Sequence, residues 1–482
     1  MDEPNLHLMA TDAQTLAAAL GALVLLAFVA VKYTASKVLE ARIEKFQASA
    51  STPATEKTAE YGWLHGKRCL VTGGNGFLGR HVAEGLLRHG CAVRVVDLAP
   101  STDLAKVDFV QCDLREKDQV ANAFAGATFD VVFHCATPSP FSKNTTLLMQ
   151  VNVEGTRNVL DACEQFKVDR FLFVSSAGVA YEAIDQMNVN EAAPVPTAFR
   201  DDYCRTKFLA EELVLKRNSP SLRTIAIRPH GMFGPREAHY MPSLLAAAKA
   251  GTTKYQVGTG HNRVDMTYVG NVVHALLLAA DTLAPGAKSA GQSYFITNDA
   301  PVSLWDTIGH ILMAMGYNPP SIAVPYGLCM LAAATGLAPV STAKLPMLGQ
   351  HHYYSCEKAK RDFGYAPLYS VEEGLTLTLA TFKDARGPHS FEQFKPAYLT
   401  REYRKYTRAE VATHNKETDA WIIVKDKVFD ITEYVEDHPG GLSILNDVGG
   451  DATVGFYGPQ HPPTVAEHIL EYLIGEIDDT EA

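Results

Sequence analysis

The sequence predicts an α/β protein with a doubly wound parallel sheet and a smaller lobe, and three observations support this prediction. A glycine-rich turn, Thr72-Gly-Gly-Asn-Gly-Phe-Leu-Gly79, follows a short apolar run and precedes residues with helical spacing. Apolar runs of strand length then alternate with helical segments as far as about residue 236. The pattern Tyr203-Cys-Arg-Thr-Lys207 lies within that alternation. Together these features predict a nucleotide-binding sheet that also carries a proton-transfer pair.

An apolar segment near the amino terminus is predicted to be a transmembrane anchor at residues 13–32. No charged residue lies between Asp12 and Lys32, and this length is close to the ~20 residues that span a bilayer. A cleaved signal peptide is the alternative, but the preceding flank is acidic and no convincing small-residue cleavage site follows. Positive charges follow the segment, which predicts that the remainder of the chain faces the cytosol. Residues 33–65 are predicted to form a polar tether.

Length, charge and cysteine content narrow the possible classes of protein. A chain of 482 residues exceeds a single hydrophobic core and predicts two or three domains. The formal charge of -11, without a cluster of basic and aromatic residues, argues against nucleic-acid binding. The eight cysteines are scattered and contain no C-x-x-C pair, which is typical of reduced thiols in a protein that faces the cytosol.

The glycine turn has the spacing of a Rossmann-type dinucleotide site. Gly73, Gly76 and Gly79 permit a tight turn, close approach to a pyrophosphate and close packing of a helix on a strand. Gly74, Gly76 and Gly79 also fit the commoner G-x-G-x-x-G spacing. The start of the helix offers unpaired N–H groups to the phosphates. The predicted cofactor contacts therefore include Phe77 and Leu78 at the helix start, together with Ala136 after a later strand.

The strands of the predicted sheet cover residues 69–71, 92–96, 107–111, 131–134, 171–175 and 224–228. Predicted helices cover residues 150–167 and 202–217. Beyond residue 236 the alternation ends, which predicts a substrate lobe over residues 236–385 of a domain spanning 66–385. Residues 307–343 are uncharged, and Pro325 and Pro339 favour a core or lobe helix over a second membrane span. A linker is predicted at 386–399, before a last module at 400–479.

Two carboxylates at strand ends are candidates for contact with an adenosine. Asp97 ends the second strand, where a carboxylate accepts hydrogen bonds from the ribose hydroxyls and repels a 2'-phosphate. This position favours NAD over NADP, although Arg94 and Lys106 lie nearby in sequence. Asp113 follows the third strand and suits either a contact at the adenine edge or a strand-end cap.

The candidate catalytic residues are Ser176, Tyr203 and Lys207. A phenol with a pKa near ~10 is a weak base at neutral pH, but an ammonium group one helical turn away stabilises the phenolate. Lys207 is predicted to supply that charge to Tyr203. Ser176 ends the strand before them and is placed to hold a substrate alcohol by a hydrogen bond.

These residues resemble the extended short-chain dehydrogenases, in which a serine, a tyrosine and a lysine form the catalytic group. The resemblance implies that Tyr203 takes the proton of the alcohol and that Lys207 lowers the phenol pKa and binds the nicotinamide ribose. Three further runs are similar to the 3β-hydroxysteroid dehydrogenase branch: Asn152-Val-Glu-Gly-Thr156, Arg228-Pro-His-Gly-Met-Phe-Gly-Pro-Arg236 and Val264-Asp-Met-Thr-Tyr-Val-Gly-Asn-Val-Val-His274. The run at Arg228 is most like the sterol-4α-carboxylate 3-dehydrogenases.

That resemblance implies a reaction and a location. The 3β-hydroxyl of a 4α-carboxysterol would be oxidised by NAD to a ketone, and the resulting β-keto acid would lose carbon dioxide. A lipid-soluble sterol substrate also accounts for a membrane anchor. The family implies the endoplasmic reticulum membrane, with the catalytic domain on its cytosolic side.

The last module resembles the cytochrome b5 heme-binding domain, which binds heme b through two axial histidines. Its motifs are Asp437-His-Pro-Gly-Gly441 and Gly449-Gly-Asp-Ala-Thr453. By this resemblance His438 and His461 are the iron ligands. The spacing between them is one residue shorter than the family pattern, and prolines flank His461, so His468 is the reserve candidate.

Two iron ligands from the protein favour electron transfer over oxygen binding. We expect the heme module to serve a sterol methyl oxidase in the same membrane and to be reduced by a cytochrome b5 reductase. Two alternatives remain open from the sequence. The first is another hydroxysteroid dehydrogenase or a sugar-nucleotide epimerase or reductase, and the second is a non-enzymatic carrier of heme or sterol.

Overall fold

The computed structural model describes residues 57–100, 104, 106–336, 342, 344–382, 387, 404–435, 438, 440–456 and 469–478. These residues form two compact units, one from residue 57 to residue 387 and the other from residue 404 to residue 478. The anchor predicted at 13–32 lies outside the described residues. Within them, no helix combines the length and the apolar character needed to cross a bilayer.

The strands of the first unit follow one another as β1 (Arg68–Thr72), β2 (Ala92–Asp97), β3 (Asp108–Gln111), β4 (Val131–His134), β5 (Arg170–Val174), β6 (Gln186–Val189), β7 (Arg223–Pro229), β8 (Met232–Phe233), β9 (Tyr255–Val257), β10 (Arg263–Val264), β11 (Thr267–Tyr268), β12 (Gln292–Ile296), β13 (Val302–Ser303), β14 (Ile322–Val324) and β15 (His352–Tyr354). Its α-helices are α1 (Phe77–Arg88), α2 (Lys117–Phe124), α3 (Thr145–Leu148), α4 (Thr156–Gln165), α5 (Asp202–Lys216), α6 (Tyr240–Lys249), α7 (Val269–Thr282), α8 (Leu304–Ala314), α9 (Tyr326–Ala334), α10 (Leu345–Gly349), α11 (Glu357–Phe363) and α12 (Val371–Leu379).

Seven parallel strands make the main sheet in the order β12-β7-β5-β4-β1-β2-β3. Successive side chains of a strand point to opposite faces, so Leu70 and Val71 of β1 enter different cores. Val71 packs with residues of α1 and α7, whereas Leu70 packs with residues of α2, α4 and α5. Helices on both faces of a parallel sheet confirm the predicted doubly wound Rossmann-type architecture.

Two features of the first unit differ from the sequence prediction. Strand β12 pairs with β7 and completes the main sheet, although it lies within the segment assigned to the lobe. Residues upstream of 66, assigned to the tether, also belong to the folded unit, because Tyr61 and Leu64 are buried in its core. A short apolar run late in the chain can predict a strand, but it does not indicate which sheet that strand joins.

The lobe contributes β13, β10 and β15 to a four-stranded sheet in the order β13-β10-β15-β6, whose strand β6 comes from earlier in the chain, and it also contains a smaller pair of β14 with β9. Helix α9 follows β14 and none of its nine residues is buried. The sequence predicted a core or lobe helix in this region, and α9 is a lobe helix outside the core.

The second unit contains a five-stranded sheet and short helices. Its strands are β16 (Arg404–Tyr406), β17 (Asn415–Lys416), β18 (Asp419–Val424), β19 (Lys427–Asp430) and β20 (Leu473–Ile477), in the order β16-β20-β19-β18-β17. Its α-helices are α13 (Arg408–Val411) and α14 (Thr453–Phe456), and 3-10 helices cover Thr432–Tyr434, Gly441–Asp447 and Ile469–Tyr472. Apolar side chains cover both faces of this sheet.

Candidate active site

The glycine turn between β1 and α1 has no room for side chains. Gly73 has a φ of +66°, and a Cβ atom there would lie 2.6 Å from the Cα atom of Ala136. A Cβ atom on Gly79 would collide with the carbonyl oxygen of Gly73. Gly76 donates its N–H to that same oxygen at 3.0 Å and caps α1, which begins at Phe77 and Leu78. The turn thus brings the start of α1 against the loop that contains Ala136, as a pyrophosphate cradle requires.

Asp97 connects the end of β2 to this turn. Its carboxylate accepts hydrogen bonds from the N–H of Asn75 at 2.8 Å and from the N–H of Leu98 at 2.7 Å. The residue therefore lies beside the glycine turn, where the sequence predicted a ribose contact. Asp113 instead forms an ion pair with Arg115 at 2.5 Å, which lowers the pKa of the carboxyl group. The contacts of Asp113 are those of a strand-end turn, whereas an adenine contact stays a prediction.

Tyr203 and Lys207 lie one turn apart on α5. The side chain of Asp201 caps the start of this helix by accepting a hydrogen bond from the N–H of Cys204. Lys207 is only 2% exposed, and its Nζ atom lies 4.1 Å from the centroid of the Phe173 ring. Burial lowers the pKa of the Lys207 ammonium to about 7, against the opposing effects of Cys135 and Glu211. Lys207 therefore lies near the carboxyl end of β5, one helical turn from Tyr203.

The pKa of the Tyr203 phenol differs from the sequence prediction. Burial raises it above its ordinary value, while a hydrogen bond with the Thr137 side chain and the charge of Arg200 act in the opposite direction. The net direction of the shift is therefore opposite to the lowering predicted from Lys207, because desolvation outweighs the nearby charges.

Ser176 lies next to α5 at the end of β5. Its Oγ atom accepts a hydrogen bond from the N–H of Gly178 at 3.1 Å. A Cβ atom on Gly178 would lie 3.2 Å from Ser176 Oγ and 2.8 Å from the Cys204 sulfur atom. Ser176 and Cys204, the residue after Tyr203, therefore both lie next to Gly178.

Sequence reasoning missed a hydrogen-bond chain behind Tyr203. Thr137 Oγ1 donates to Asn152 Oδ1 at 2.9 Å, and Asn152 Nδ2 donates to Thr206 Oγ1 at 3.0 Å. Thr206 Oγ1 in turn donates to the carbonyl oxygen of Tyr203 at 3.0 Å. Asn152 lies in a π-helix, Met149–Gly155, within the helix predicted at 150–167. The sequence contained the Asn152 run, but its helical spacing gives no sign of a π-helix.

His134 was also missed, because the sequence presents it only as the last residue of a strand. Its imidazole lies 2.7 Å from Thr72 Oγ1 and 2.9 Å from Thr156 Oγ1. Burial lowers its pKa to about 3, with a smaller contribution from the charge of Lys207. A neutral His134 therefore connects β1 and β4 to α4 beneath the site.

A cluster of buried polar atoms without hydrogen-bond partners in the described structure lies close to the ends of β5 and β7. The atoms are Ser175 Oγ, Tyr181 Oη, His230 Nδ1, Asp265 Oδ1 and Tyr354 Oη. The His230 ring lies 5.0 Å from the Tyr354 ring, and its Nδ1 atom lies 3.7 Å from Asp265 Oδ2. An unpaired buried polar atom costs about 1–3 kcal/mol, so such a cluster is typical of a site that binds a polar group.

The second unit contains one of the two predicted iron ligands within its described residues. Nδ1 of His438 lies 3.1 Å from the carbonyl oxygen of Gly441, and the ring lies 5.8 Å from that of Tyr434. In the tautomer that donates this hydrogen bond, Nε2 carries the lone pair that a metal ligand needs. His438 can therefore serve as one ligand of a heme iron. His461 and His468 lie outside the described residues.

Comparison with known proteins supports the assignment of both units. Residues 70–326 match the 3-beta hydroxysteroid dehydrogenase/isomerase family, and this match covers more than half of the chain. The chain belongs to this family. Residues 407–478 match the cytochrome b5-like heme/steroid binding domain.

Relatives and solved structures agree with this family membership. Over 335 residues the chain is 39% identical to the sterol-4-alpha-carboxylate 3-dehydrogenase, decarboxylating, of Bos taurus, which covers 66% of this chain and 94% of that protein. It is also 39% identical over 349 residues to the 3beta-hydroxysteroid-dehydrogenase/decarboxylase isoform 1 of Arabidopsis thaliana, which covers 65% of this chain and 79% of that protein. The UDP-glucose 4-epimerase of Thermotoga maritima shares the fold with a TM-score of 0.54 and 22% identity, over 66% of this chain and 99% of the epimerase.

The buried ammonium of Lys207 leads to a prediction about stability. Because its pKa falls to about 7 in the folded state, the unfolded chain binds more protons between pH 7 and the ordinary lysine range. Its destabilising effect is therefore complete below pH 7 and is relieved as the pH rises. We expect Lys207→Met to stabilise the cofactor-free protein by on the order of a few kcal/mol at pH 6 and by less at pH 9. Urea unfolding at both pH values measures this difference.

Lys216→Met, at an exposed position on the same helix, is the control and is expected to show no such pH dependence. An equal gain from Lys207→Met at both pH values would contradict the assigned pKa.

Proposed function

We propose that this protein is a membrane-anchored dehydrogenase that oxidises the 3β-hydroxyl of a 4α-carboxysterol with NAD and releases carbon dioxide. The observation that carries the proposal is the identity of 39% over nearly the whole of a sterol-4-alpha-carboxylate 3-dehydrogenase. The arrangement of Ser176, Tyr203 and Lys207 at the end of the sheet supports the same chemistry. The anchor at 13–32 and a location in the endoplasmic reticulum membrane belong to this proposal.

The chain's own residues account for substrate orientation and proton transfer. Ser176 holds the alcohol by a hydrogen bond, and the Tyr203 phenolate takes the proton of the hydroxyl group. The ammonium of Lys207 stabilises that phenolate once a ligand orders the site. Thr137, which is hydrogen-bonded to the Tyr203 side chain, orients the phenol. NAD, when bound on the glycine turn, supplies the acceptor for the hydride that leaves carbon 3.

The loss of carbon dioxide follows from the oxidation. A ketone at carbon 3 makes the neighbouring acid a β-keto acid, which breaks its carbon–carbon bond to give an enolate and carbon dioxide. The enolate then takes a proton at carbon 4. The buried polar cluster supports a substrate of this kind, because His230 follows β7 beside β5, the strand that leads to Ser176. A carboxylate next to the alcohol would accept hydrogen bonds from the hydroxyl groups of this cluster, whereas the Asp265 carboxylate is itself an acceptor and would not pair with it.

The decisive experiment measures both products of the reaction. Purified protein is incubated with NAD and a 4α-carboxysterol, and NADH and carbon dioxide are followed together. The expected result is one carbon dioxide for each NADH. A 3β-hydroxysteroid without the acid is the control, and it should yield NADH without carbon dioxide. NADH formation without any carbon dioxide from the 4α-carboxysterol would reject the decarboxylating function.

The second unit is proposed to bind heme b through His438 and His461. Heme, when bound, supplies one-electron transfer, whereas NADH carries two electrons as a hydride. We therefore propose that this unit serves a neighbouring sterol methyl oxidase and is recharged by a cytochrome b5 reductase. Acidic residues of the unit, including Asp447 and Asp451, would contact basic partners.

Substitution of one proposed iron ligand separates the role of the heme unit from the NAD-dependent activity of the first unit. We expect His438→Ala to abolish the heme Soret absorbance and to slow oxidation of the sterol 4-methyl group in membranes, while NAD-dependent turnover of the 4α-carboxysterol changes less than about twofold. His414→Ala, at a histidine stacked on Trp421 in the same unit, is the control and should keep the absorbance. Unchanged methyl oxidation in His438→Ala membranes would reject the proposed partnership.

A further inference from the structure

Arg200 places a guanidinium at the start of the helix that carries Tyr203 and Lys207. Its Nε atom donates to Asp201 Oδ2 at 2.8 Å, and Asp201 caps α5. Its Nη1 atom donates to the sulfur atom of Met347, in α10, at 3.0 Å. The side chain of Arg200 is 20% exposed. A guanidinium has five N–H groups, so these two contacts with described residues leave donors for a ligand.

The charge of Arg200 acts on the proposed base. Burial raises the pKa of the Tyr203 phenol, and the guanidinium three residues earlier opposes that rise. It also opposes the effect of burial on Cys204, whose pKa is raised to about 12. Cys204 lies next to Gly178, as Ser176 does. The guanidinium is therefore close to the residues proposed to bind the alcohol.

Arg200 also borders the buried polar cluster at the ends of β5 and β7. Its Cζ atom lies 5.9 Å from the centroid of the Tyr181 ring, and that centroid lies 5.7 Å from the centroid of the His352 ring. Burial raises the pKa of Tyr181 to about 12 and also raises the pKa of Tyr354, and the charge of Arg200 opposes both shifts. Among the described residues, the hydroxyl groups of these two tyrosines have no hydrogen-bond partner. One cation is thus near both the proposed base and two hydroxyl donors.

An acid group that enters this cluster needs a compensating cation. Asp265 already contributes a buried carboxylate, which accepts a hydrogen bond from the N–H of Tyr354 at 2.8 Å. A second carboxylate would be desolvated and repelled there unless a positive charge lay beside it. Burial lowers the pKa of His352 to about 3, so this imidazole stays neutral. His230 Nδ1 lies 3.7 Å from Asp265 Oδ2, so a protonated His230 would compensate Asp265 instead.

Two other cations near the site are less suitable than Arg200. Arg228 lies 5.2 Å from the centroid of the Phe295 ring, which stacks on Tyr354, but its Nε and Nη2 atoms donate to the buried carboxylate of Glu211. Burial lowers the pKa of the Lys207 ammonium to about 7. A guanidinium has a pKa above about 12, so Arg200 keeps its charge at every physiological pH.

We propose that Arg200 binds the 4α-carboxylate of the sterol and thereby selects the carboxylated substrate over other 3β-hydroxysteroids. This inference rests on the proposed function, to which it adds a specificity-determining residue. The guanidinium donates to the carboxylate by charge-assisted hydrogen bonds, and the hydroxyl groups of Tyr181 and Tyr354 donate to its remaining lone pairs.

The position of Arg200 also suits the loss of the acid group. When the bond between carbon 4 and the carboxyl carbon breaks, its electron pair forms the enolate, and the negative charge moves to the oxygen at carbon 3 beside Tyr203. Arg200 is near both groups, so the charge stays close to the same cation. Asp201 shares the guanidinium, which weakens its ion pair with the carboxylate that must leave.

The proposal is tested by the substrate selectivity of full-length Arg200→Gln. The value of kcat/KM is measured from NADH formation with a 4α-carboxysterol and with the matched sterol that carries a 4α-methyl group, and the first value is divided by the second. We expect Arg200→Gln to lower this ratio roughly thirtyfold, because a charge-assisted interaction is lost for the acid alone. Damage to folding, to α5 or to NAD binding lowers both values and cancels in the ratio.

Two further variants separate charge from geometry and from position. Arg205→Gln removes a 40% exposed arginine of the same helix, paired with Asp202 at 3.3 Å, and should leave the ratio unchanged. Arg200→Lys keeps the charge without the planar set of donors and should lower the ratio only about fivefold.

The outcomes distinguish failure of this inference from failure of the proposed function. If the parent protein releases carbon dioxide from the acid and Arg200→Gln keeps the parental ratio, the role of Arg200 is overturned and the proposed function stands. A fall in Arg205→Gln as large as that in Arg200→Gln also overturns the role of Arg200. A parent protein that releases no carbon dioxide from the acid overturns both.

Discussion

Tyr203→Phe is expected to lower kcat for the 4α-carboxysterol roughly a thousandfold, with little change in the affinity for NAD. The phenol is the group proposed to take the proton of the alcohol, and phenylalanine keeps the ring without that function. The neighbouring Lys207 ammonium is too deeply buried, against the Phe173 ring, to replace it. Steady-state kinetics with NADH as the signal, and titration of NAD by fluorescence, measure the two quantities.

Tyr294→Phe is the matched control for this prediction. Tyr294 is buried in β12, and its hydroxyl donates to Asp362 at 3.0 Å, away from the catalytic helix. Its loss should cost about 1 kcal/mol of stability and leave kcat unchanged. A Tyr203→Phe variant that retains a tenth or more of the parental kcat would exclude the phenol as the base.

Gly79→Ala is expected to weaken NAD binding roughly a hundredfold and to destabilise the first unit by about 3 kcal/mol. The added Cβ atom would collide with the carbonyl oxygen of Gly73 and would lie 3.0 Å from the Cα atom of Gly74. Because both neighbours are backbone atoms of the turn, the collision can be relieved only by moving the turn away from α1. Calorimetric titration with NAD and urea unfolding measure the two effects.

Gly62→Ala provides the comparison, since no atom lies within 4 Å of a Cβ atom at that position. This substitution should change neither NAD affinity nor unfolding by more than about 0.5 kcal/mol. If Gly79→Ala bound NAD as tightly as the parent, the turn would not be the phosphate cradle.

The local part of the site was predictable from sequence because its spacing is fixed by regular structure. Residues four apart on a helix share a face, so the spacing alone predicts that Tyr203 and Lys207 lie on one face of α5. Gly73 and Gly79 were also predictable from the sequence, since a tight turn between strand and helix leaves no space for side chains. These features depend only on residues that are close together in the sequence.

The remaining part depends on residues that are distant in sequence. Thr137 and Asn152 come close to Tyr203 only because the fold brings the loop after β4, the π-helix and α5 together at one end of the sheet. The direction of the Tyr203 pKa shift also depends on burial, which the spacing to Lys207 does not reveal. His230 and Asp265 were noted only within similar runs, and nothing in those runs predicted that their side chains would be neighbours without partners.

The position of β12 in the main sheet has a consequence for synthesis of the protein. Strand β7 ends at Pro229, but its outer edge stays uncovered until residue 296 has been made, so a ribosome must add dozens of residues before the sheet is complete. An unpaired edge of this kind can join another nascent chain. Fragments that stop shortly after Arg236 should therefore aggregate, and the dehydrogenase unit should become soluble only when the fragment continues through β12 and the helices that follow.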